Sequence, residues 1–272
     1  MLIDLIERAR ERGLEVTADA YPYTAYNTTM NIWFPTWAHD GGLEKFVERL
    51  KDKELRQQMK EETLAKVEGD NSWESIMISG VENLTNKVLI GKRVDEAARE
   101  RGQDPYEFVC DLLVSERGSL GIIGFGMSEE NTELVLKHPL VMLCSDGNAL
   151  APYGILNRNR PHPRNYGAFP RFLGRYVREK KILSLPEAIK KMTLMPAKKM
   201  GLEKRGALQK GYFADIVVFD PGNIQDMATY IEPAQYPLGI DYVLVNGKIV
   251  VDHGEHTGAL PGQIIYGPSN LL

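Results

Sequence analysis

One aspartate is a candidate catalytic group by its position. Asp146 follows the apolar run Leu140–Leu143, which predicts a buried strand, and it precedes Gly147 and a long polar segment. An aspartate just beyond the carboxyl end of a buried strand lies where α/β barrels carry their catalytic groups. Because an Asp-Gly pair also caps many turns, the local pattern leaves a catalytic role and a turn role equally open.

The polar segment 147–168 carries a second set of candidates. It contains four basic side chains at close spacing: Arg158, Arg160, His162 and Arg164. Guanidinium groups near an active-site carboxylate suit the recognition of a substrate carboxylate, which arginine binds through two parallel hydrogen bonds. A solvated basic loop has the same composition. Structureless loops of this length are uncommon in compact domains unless they carry function.

The histidines and cysteines form no complete metal-binding motif. The histidines are His39, His138, His162, His253 and His256, and no two of them make an HxH pair. His253 and His256 have a spacing that can bind metal, although they lie in a predicted hairpin among charged residues. Cys110 and Cys144 are far apart and have no CxxC partner, so a disulfide framework is not expected. The sequence also lacks a phosphate-binding glycine motif.

Composition excludes several classes of protein. The formal net charge of −4 argues against nucleic-acid binding, which requires a basic face. No apolar run approaches the roughly 18 residues that a membrane span needs. The first residues show no basic region followed by an apolar stretch, so no signal peptide is predicted and a cytoplasmic location is expected.

The elements that must position these residues follow from periodicity and caps. Residues 2–12 predict a helix that leads into a strand at 15–19 and the turn Tyr21-Pro22-Tyr23. Further helices are predicted at 43–68, 105–116, from Ser128 to His138, at 169–180 and at 185–193. Further strands are predicted at 76–78, 87–90, 120–125 and 140–143. From Gly206 the pattern changes to short strands at 214–219, 242–245 and 248–251, with an Asn246-Gly247 turn.

Several of these segments resemble one family, the N-acyl-D-amino-acid deacylases of the metal-dependent amidohydrolases. Val16–Ala25 resembles the seventh-strand segment of these enzymes, and Leu143–Gly147 resembles their SDG motif on the eighth strand. His162-Pro163-Arg164 is similar to the HPR motif, and Tyr166–Arg171 is similar to the GTFPR stretch, with Ala168 at the usual threonine. Gly211–Asp220 resembles the small β-domain that amidohydrolases share.

The resemblance implies an α/β fold. Residues 1–205 are expected to form the last strands and helices of a TIM-like barrel, with a helical insertion at about 40–118. Residues 206–272 are expected to form the C-terminal portion of a small β-sandwich domain. The family's HxH pair, bridging cysteine and further histidines, which hold zinc, are absent from this sequence. The chain is therefore expected to be a truncation, a split-gene product or a degenerate remnant, and not to bind zinc stably by itself.

The resemblance also implies roles for particular residues. In such enzymes zinc polarises the amide carbonyl and activates a water. Asp146 would take the proton from that water and pass it to the leaving amine, and it could be a weak metal ligand. Arg164 would bind the carboxylate of an N-acyl-D-amino acid, helped by Tyr21 or Tyr23. The expected partner is the missing N-terminal barrel segment or a second copy of the chain.

Two other interpretations stay open at this stage. The chain could be a non-catalytic remnant or a half that needs its partner to act. It could also be a dihydropyrimidinase-like cyclic amide hydrolase. The HPR motif after SDG favours the deacylase branch over the cyclic amide hydrolases.

Overall fold

The computed structural model describes residues 2–70, 72–157 and 159–266. Its α-helices, α1 to α9 in chain order, are Leu2–Glu11, Leu43–Lys51, Lys53–Asp70, Val94–Glu100, Pro105–Ser115, Glu129–Lys137, Arg164–Arg171, Leu185–Met192 and Leu194–Lys199. Its strands, β1 to β9, are Ala18–Ala20, Tyr26–Thr29, Ile76–Gly80, Gly121–Gly124, Val141–Leu143, Ile216–Phe219, Ile240–Val245, Lys248–Asp252 and Glu255–His256. Among these described residues, no helix is both long and apolar enough to cross a bilayer.

Local caps set the beginnings of two predicted helices. The Ser128 side chain accepts a hydrogen bond from the Asn131 N–H at 3.1 Å and so begins α6. At α8, Ser184 and Glu187 form the predicted capping box. Such side chains satisfy backbone N–H groups that have no partner within the helix. Both predictions are confirmed. The sequence was sufficient for them because each cap depends only on neighbouring residues.

Two parallel strands form the small sheet that leads to the candidate site. Ala18 pairs with Val141 and Ala20 with Leu143, which places the ends of β1 and β5 side by side. Ala20 and Leu143 pack with helices α6 and α8 in a buried apolar cluster. The two strands therefore end at the same level of the sheet.

A second unit lies between these two strands in sequence. Its sheet has the order β2-β4-β3, antiparallel throughout, and Tyr26 pairs with Gly124. Helices α2 to α5 pack on it around a core that includes Phe46, Phe108 and Ile122. The chain thus leaves and re-enters the neighbourhood of β1 at one point.

The C-terminal strands form a third sheet in the order β6-β7-β8-β9. Its neighbours are all antiparallel, as the alternating pattern predicts. The turn between β7 and β8 is made by Asn246 and Gly247, which have φ angles of 48° and 78°. Asparagine and glycine tolerate positive φ better than other residues, so the predicted Asn-Gly hairpin turn is confirmed.

The strand predicted at 87–90 is wrong. Residues Leu84–Leu89 form a 3₁₀ helix instead. The Glu116 carboxylate accepts hydrogen bonds from the backbone N–H groups of Glu82 and Asn83, and the Asn83 side chain caps the helix by accepting from the Thr85 N–H. These contacts fix a helical turn, and Val88 is 73% exposed rather than buried.

The helix predicted at 169–180 begins earlier and changes type. α7 starts at Arg164, and a π-helix continues it over Phe172–Glu179. Pro170 lies inside α7 and has no N–H to donate, so the regular pattern is interrupted there. The wider spacing is evident where the Lys180 N–H donates to the Arg175 carbonyl at 2.9 Å. The predicted loop 147–168 is correspondingly shorter.

Candidate active site

The candidate site forms where β1 and β5 end. The Cys144 N–H donates to the Ala20 carbonyl at 3.0 Å, which extends the pairing by one step. Tyr21 then follows β1, and Asp146 follows β5. Asp146 has a φ of 45°, a left-handed conformation that aspartate adopts more readily than most residues. This turn ends the strand and leaves the Asp146 side chain 61% exposed.

Asp146 and Arg164 are joined by two contacts. The Arg164 Nη2 lies 2.7 Å from the Asp146 Oδ2, and its Nε donates to the Asp146 backbone carbonyl at 2.9 Å. The Arg164 side chain is only 7% exposed, whereas its partner carboxylate is largely in solvent. The guanidinium is thus fixed in the protein and presents its charge to an accessible carboxylate.

Tyr21 completes this group. The Arg164 guanidinium lies over the Tyr21 ring, 4.7 Å from its centroid, a cation–π distance. Burial raises the pKa of the Tyr21 phenol, although the Arg164 charge acts in the opposite direction. Tyr21 is therefore a neutral hydroxyl near neutral pH. Asp146, Arg164 and Tyr21 are the predicted site residues that the structure brings together.

His162 supports Arg164 from below the surface. The ring is fully buried, its Nδ1 accepts from the Arg164 backbone N–H at 3.0 Å, and its Nε2 lies 3.0 Å from the Ala25 carbonyl. An Nε2 facing a carbonyl must donate, which assigns the proton to Nε2. Burial, reinforced by the nearby Arg164 charge, lowers the His162 pKa to about 3. The imidazole is consequently neutral and fixed in one tautomer.

Tyr23 lies deeper than Tyr21. It is 1% exposed, and its ring makes an edge contact with His162 at a centroid distance of 5.1 Å. Tyr230 contacts both rings, at 6.3 Å from Tyr23 and 5.2 Å from His162. Within the described chain the Tyr23 hydroxyl has no hydrogen-bond partner. Of the two tyrosines considered for substrate binding, the accessible position therefore belongs to Tyr21.

The basic residues of the loop do not form one group. Arg158 lies outside the described residues. The Arg160 N–H donates to the Ser79 carbonyl at 2.9 Å. Its guanidinium lies against Gly91, where a Cβ would be 1.6 Å from the Arg160 Nη1. Arg160 therefore fastens the loop to the β2-β4-β3 unit, and Arg164 is the arginine beside Asp146.

The remaining histidines make other contacts. His253 Nε2 lies 2.8 Å from the Tyr242 hydroxyl, and His256 Nδ1 accepts from the Gly258 N–H at 3.0 Å. His138 lies at the end of α6, 3.1 Å from a Glu7 carboxylate oxygen. Across residues 2–70, 72–157 and 159–266, no three His, Cys, Asp or Glu side chains converge to hold a metal ion.

A cavity of about 310 Å³ adjoins Tyr21. It lies between the end of β1 and the first turns of α6, where Ser128, Asn131 and Thr132 line it together with Met127. Its lining combines hydroxyl and amide groups with apolar carbon. It gives a small polar molecule room beside the Tyr21 ring.

Residues 2–251 match the model of a protein family described as the amidohydrolase family. The chain belongs to the amidohydrolase family. Within this family it is similar to a D-aminoacylase of Alcaligenes xylosoxydans xylosoxydans, with 40% identity over 177 residues. It is equally similar, at 40% identity over 171 residues, to an N-acyl-D-aspartate deacylase of the same organism. These alignments cover 65% and 60% of the chain but only 34% and 33% of the relatives.

Solved amidohydrolase structures agree with this relationship. An N-acyl-D-glutamate deacylase from Bordetella bronchiseptica, solved with zinc and a phosphonate inhibitor, superposes with a TM-score of 0.68 at 32% identity. It is covered over 42% of its length, against 91% of this chain. A D-aminoacylase structure gives a TM-score of 0.69 at 32% identity, with 95% and 44% covered. The resemblance to N-acyl-D-amino-acid deacylases is thereby confirmed, for a chain that spans about a third to under a half of its relatives.

Sequence reasoning missed the groups behind the site. The sequence marks His162 as part of a basic loop and of the HPR motif, but not as the buried support of Arg164. Arg171 donates its Nε to the Pro22 carbonyl at 2.8 Å, and its Nη1 lies 3.3 Å from the Asp226 Oδ2. Arg171 ends the Tyr166–Arg171 segment, and the similarity of that segment to the GTFPR stretch is the sequence signal for it. Nothing in the local sequence marked Asp226.

Proposed function

We propose that this chain supplies the substrate-carboxylate site and the proton-transfer carboxylate of an N-acyl-D-amino-acid deacylase. The observation that carries the proposal is the juxtaposition of Asp146 and Arg164 beyond the ends of two parallel strands. The reaction is hydrolysis of a linear amide to a carboxylate and a free D-amino acid. The zinc and phosphonate complex of the Bordetella relative supports this class of chemistry.

The fold part of the proposal is that β1 and β5 are neighbouring strands of a TIM-like barrel. Their parallel pairing and the packing of α6 and α8 on one face support it, because barrels alternate parallel strands with outer helices. Residues 206–272 then belong to the small β-domain, and the unit around 40–118 is an insertion between barrel strands. The site lies at the carboxyl ends of the strands, as it does in barrel enzymes.

Substrate recognition rests on Arg164. Its buried guanidinium can bind the α-carboxylate of an N-acyl-D-amino acid in place of the Asp146 carboxylate that it contacts in this structure. The neutral Tyr21 hydroxyl can donate a hydrogen bond to the same substrate. This exchange places the substrate next to the carboxylate that it displaces.

Proton transfer is assigned to Asp146. The carboxylate accepts a proton from the attacking water as the new C–O bond forms at the amide carbon. It then gives that proton to the amine nitrogen as the C–N bond breaks, and the carboxylate is regenerated. Both transfers use one exposed side chain, so Asp146 needs no second proton carrier in this chain.

The described residues do not fit a zinc site by themselves. Both ring nitrogens of His162 are engaged, and the Asp146 carboxylate is paired with Arg164. Burial, followed by the charges of Asp19 and Asp146, raises the pKa of the Cys144 thiol, which favours its protonated form. We therefore assign no step to a metal. We propose that the zinc ligands come from a complementary barrel segment.

Binding by the purified chain tests the recognition step. Calorimetric titration with N-acetyl-D-alanine, its L-enantiomer and its primary amide compares the wild type with Arg164→Lys. The matched control is Arg178→Lys, an arginine that donates to the Ile224 carbonyl and has no contact with Asp146. Binding that needs the carboxylate and Arg164 supports the proposal, whereas equal affinities for the acid and the amide contradict it.

Turnover tests the proton-transfer step. The chain replaces the matching segment of the Alcaligenes D-aminoacylase, and hydrolysis of N-acetyl-D-amino acids is measured. Asp146→Asn should lower kcat by about 10²–10⁴ while substrate still binds. A folded chimaera that binds substrate but gives no turnover with Asp146 intact favours the non-catalytic remnant. Preferential hydrolysis of dihydropyrimidines favours the cyclic amide hydrolase.

A further inference from the structure

The interaction between Asp146, Arg164 and Tyr21 occurs a second time in this chain. Arg171 lies over the Tyr23 ring at 4.7 Å, the same distance that separates Arg164 from Tyr21. Each arginine also donates its Nε to a backbone carbonyl and places an Nη group near an aspartate Oδ2. The two arginines are seven residues apart in α7, about two helical turns, and so lie on similar sides of the helix.

The two groups differ in their aspartates, because Asp226 is largely buried whereas the Asp146 side chain is 61% exposed. Asp226 and Arg171 have side chains that are 12% and 21% exposed, and Tyr23 is 1% exposed. Burial raises the pKa of the Asp226 carboxyl, while the Arg171 charge opposes that shift. With this burial, the second group is suited to hold structure rather than to bind a substrate carboxylate.

What the second group holds is the backbone between the two tyrosines. The Arg171 Nε donates to the carbonyl of Pro22, the residue between Tyr21 and Tyr23. Gly167 also packs closely against this group. A Cβ on Gly167 would lie 2.6 Å from the Tyr23 hydroxyl and 2.9 Å from the Asp226 Cβ. The turn is therefore fixed by a guanidinium, a ring and a glycine contact.

Asp226 brings the C-terminal part of the chain into this arrangement. It lies between β6 and β7, where the Gln225 N–H donates to the Leu238 carbonyl at 3.1 Å. Asp226 is 55 residues from Arg171 in sequence. The Arg171–Asp226 contact thus links the turn that carries Tyr21 to the segment that connects β6 and β7.

We propose that Arg171 and Asp226 are a positioning pair that sets the orientation of Tyr21 and, through it, of Arg164. This inference rests on the proposed function for its meaning in catalysis, but its geometric content does not. Neither residue touches the substrate. Their loss should leave the carboxylate-binding arginine in place and weaken its alignment.

The first test follows the Tyr21 ring directly. The purified chain is labelled with 3-fluorotyrosine, and the Tyr21 resonance is assigned from its loss in Tyr21→Phe. Arg171→Lys and Asp226→Asn should shift or broaden this resonance, because a lysine cannot both lie over Tyr23 and donate to Pro22 as a planar fork does. Arg99→Lys, at an exposed arginine of α4 that pairs with Asp95, should leave the resonance unchanged. Asp226→Glu should shift it less than Asp226→Asn does.

The second test measures binding of N-acetyl-D-alanine and of its amide. Arg171→Lys should weaken the binding of the acid roughly tenfold and leave the binding of the amide nearly unchanged. A Tyr21 resonance that responds to Arg171→Lys no more than to Arg99→Lys overturns the inference. If that resonance responds but Arg164→Lys leaves binding of the acid unchanged, the positioning pair stands and the proposed function fails. The Asp226→Asn and Asp226→Glu comparison decides the matter if Arg171→Lys does not fold.

Discussion

The Arg164 side chain binds both the side chain and the backbone of Asp146. The distance from the Arg164 Nη2 to the Asp146 Oδ2 is 2.7 Å, and the Arg164 Nε donates to the Asp146 carbonyl. The two groups assigned to the substrate are thus paired before any substrate is present. Under the proposed function, a substrate carboxylate competes with Asp146 for Arg164. Its binding to Arg164 would also free Asp146 to accept a proton.

This competition predicts that Asp146→Asn strengthens binding. Removing the competing carboxylate should tighten the binding of N-acetyl-D-alanine to the purified chain about two- to fivefold, because an ion pair with an exposed partner contributes up to about 1 kcal/mol. The gain should shrink as salt is added. Asp19→Asn, at an exposed carboxylate of β1, is the control. Weaker binding in Asp146→Asn would show that Asp146 supports Arg164 rather than competing for it.

His162 predicts a dependence of stability on pH. Burial in the folded chain lowers the His162 pKa from 6.5 to about 3. Below pH 6.5, therefore, the imidazole binds a proton in the unfolded chain but not in the folded chain. Stability is therefore lost as the pH falls from 6.5 towards 3. Between pH 7 and pH 5 this group alone should cost about 2 kcal/mol of unfolding free energy.

Urea unfolding of the wild type and of His162→Gln at both pH values measures this contribution. The variant should be less stable at pH 7 but should lose less stability on acidification. His256→Gln, at an exposed histidine, serves as the control. An identical loss in the wild type and in His162→Gln would mean that other groups account for the acid sensitivity.

Gly91 predicts an unequal cost for two glycine substitutions. Gly91→Ala and Gly211→Ala meet similar backbone strain, at φ angles of 92° and 86°. A Cβ at Gly211 meets nothing within 4 Å, but one at Gly91 overlaps the Arg160 guanidinium. Gly91→Ala should therefore be more destabilising, but only by up to about 1 kcal/mol, because the guanidinium ends a flexible side chain that can move aside. Adding Arg160→Ala should remove most of the difference, and equal costs without it would exclude a tight Arg160 contact.

Lys191 is expected to stabilise β5, the strand that precedes Asp146. Its Nζ donates to the Val141 carbonyl at 2.7 Å and to the His138 carbonyl, and burial lowers its pKa. Lys191→Met leaves both carbonyls without this donor and should cost about 1–3 kcal/mol. Lys190→Met, one residue away and exposed, should change stability by less than about 0.5 kcal/mol. Chemical unfolding of the two variants compares them directly.

The bare strands predict self-association. In the described part of the chain, β1 and β5 pair only with each other, which leaves an unpaired edge on each. Leu2 and Leu5 of α1 are also largely exposed. Unpaired edges and apolar faces favour contact with other chains. Sedimentation should show oligomers that grow with concentration; a monodisperse monomer at high concentration would contradict this prediction.

Features decided by near neighbours in sequence could be predicted. Ser128 and Ser184 cap helices, and the run predicted as a strand at 140–143 forms β5 over Val141–Leu143, because caps and short apolar runs are read from near neighbours. The same reasoning predicts the position of Asp146, just beyond the end of that strand. The quoted motifs were sufficient to identify the family.

Features decided by distant contacts could not be predicted. The apolar residues at 87–90 favour a strand by composition, but Glu116, about thirty residues later, fixes a helical turn before them. The pairing of Arg171 with Asp226 crosses 55 residues, and no periodicity marks either partner. His162 was visible as a residue type, but its two backbone partners, one 137 residues away, were not.

The pairing of Tyr26 with Gly124 has a consequence for how this enzyme type can be rebuilt. Because the unit between them leaves and returns at one point, it can be exchanged for a short linker or a foreign module without stretching the strands that carry Tyr21 and Asp146. The contacts between this unit and the site must be transplanted with any replacement, including the packing of Met77 and Ile123 with Tyr230. The Ser79 carbonyl and Gly91 also contact Arg160, and a graft that omits them would remove the contacts that tie the loop before Arg164 to the β2-β4-β3 unit.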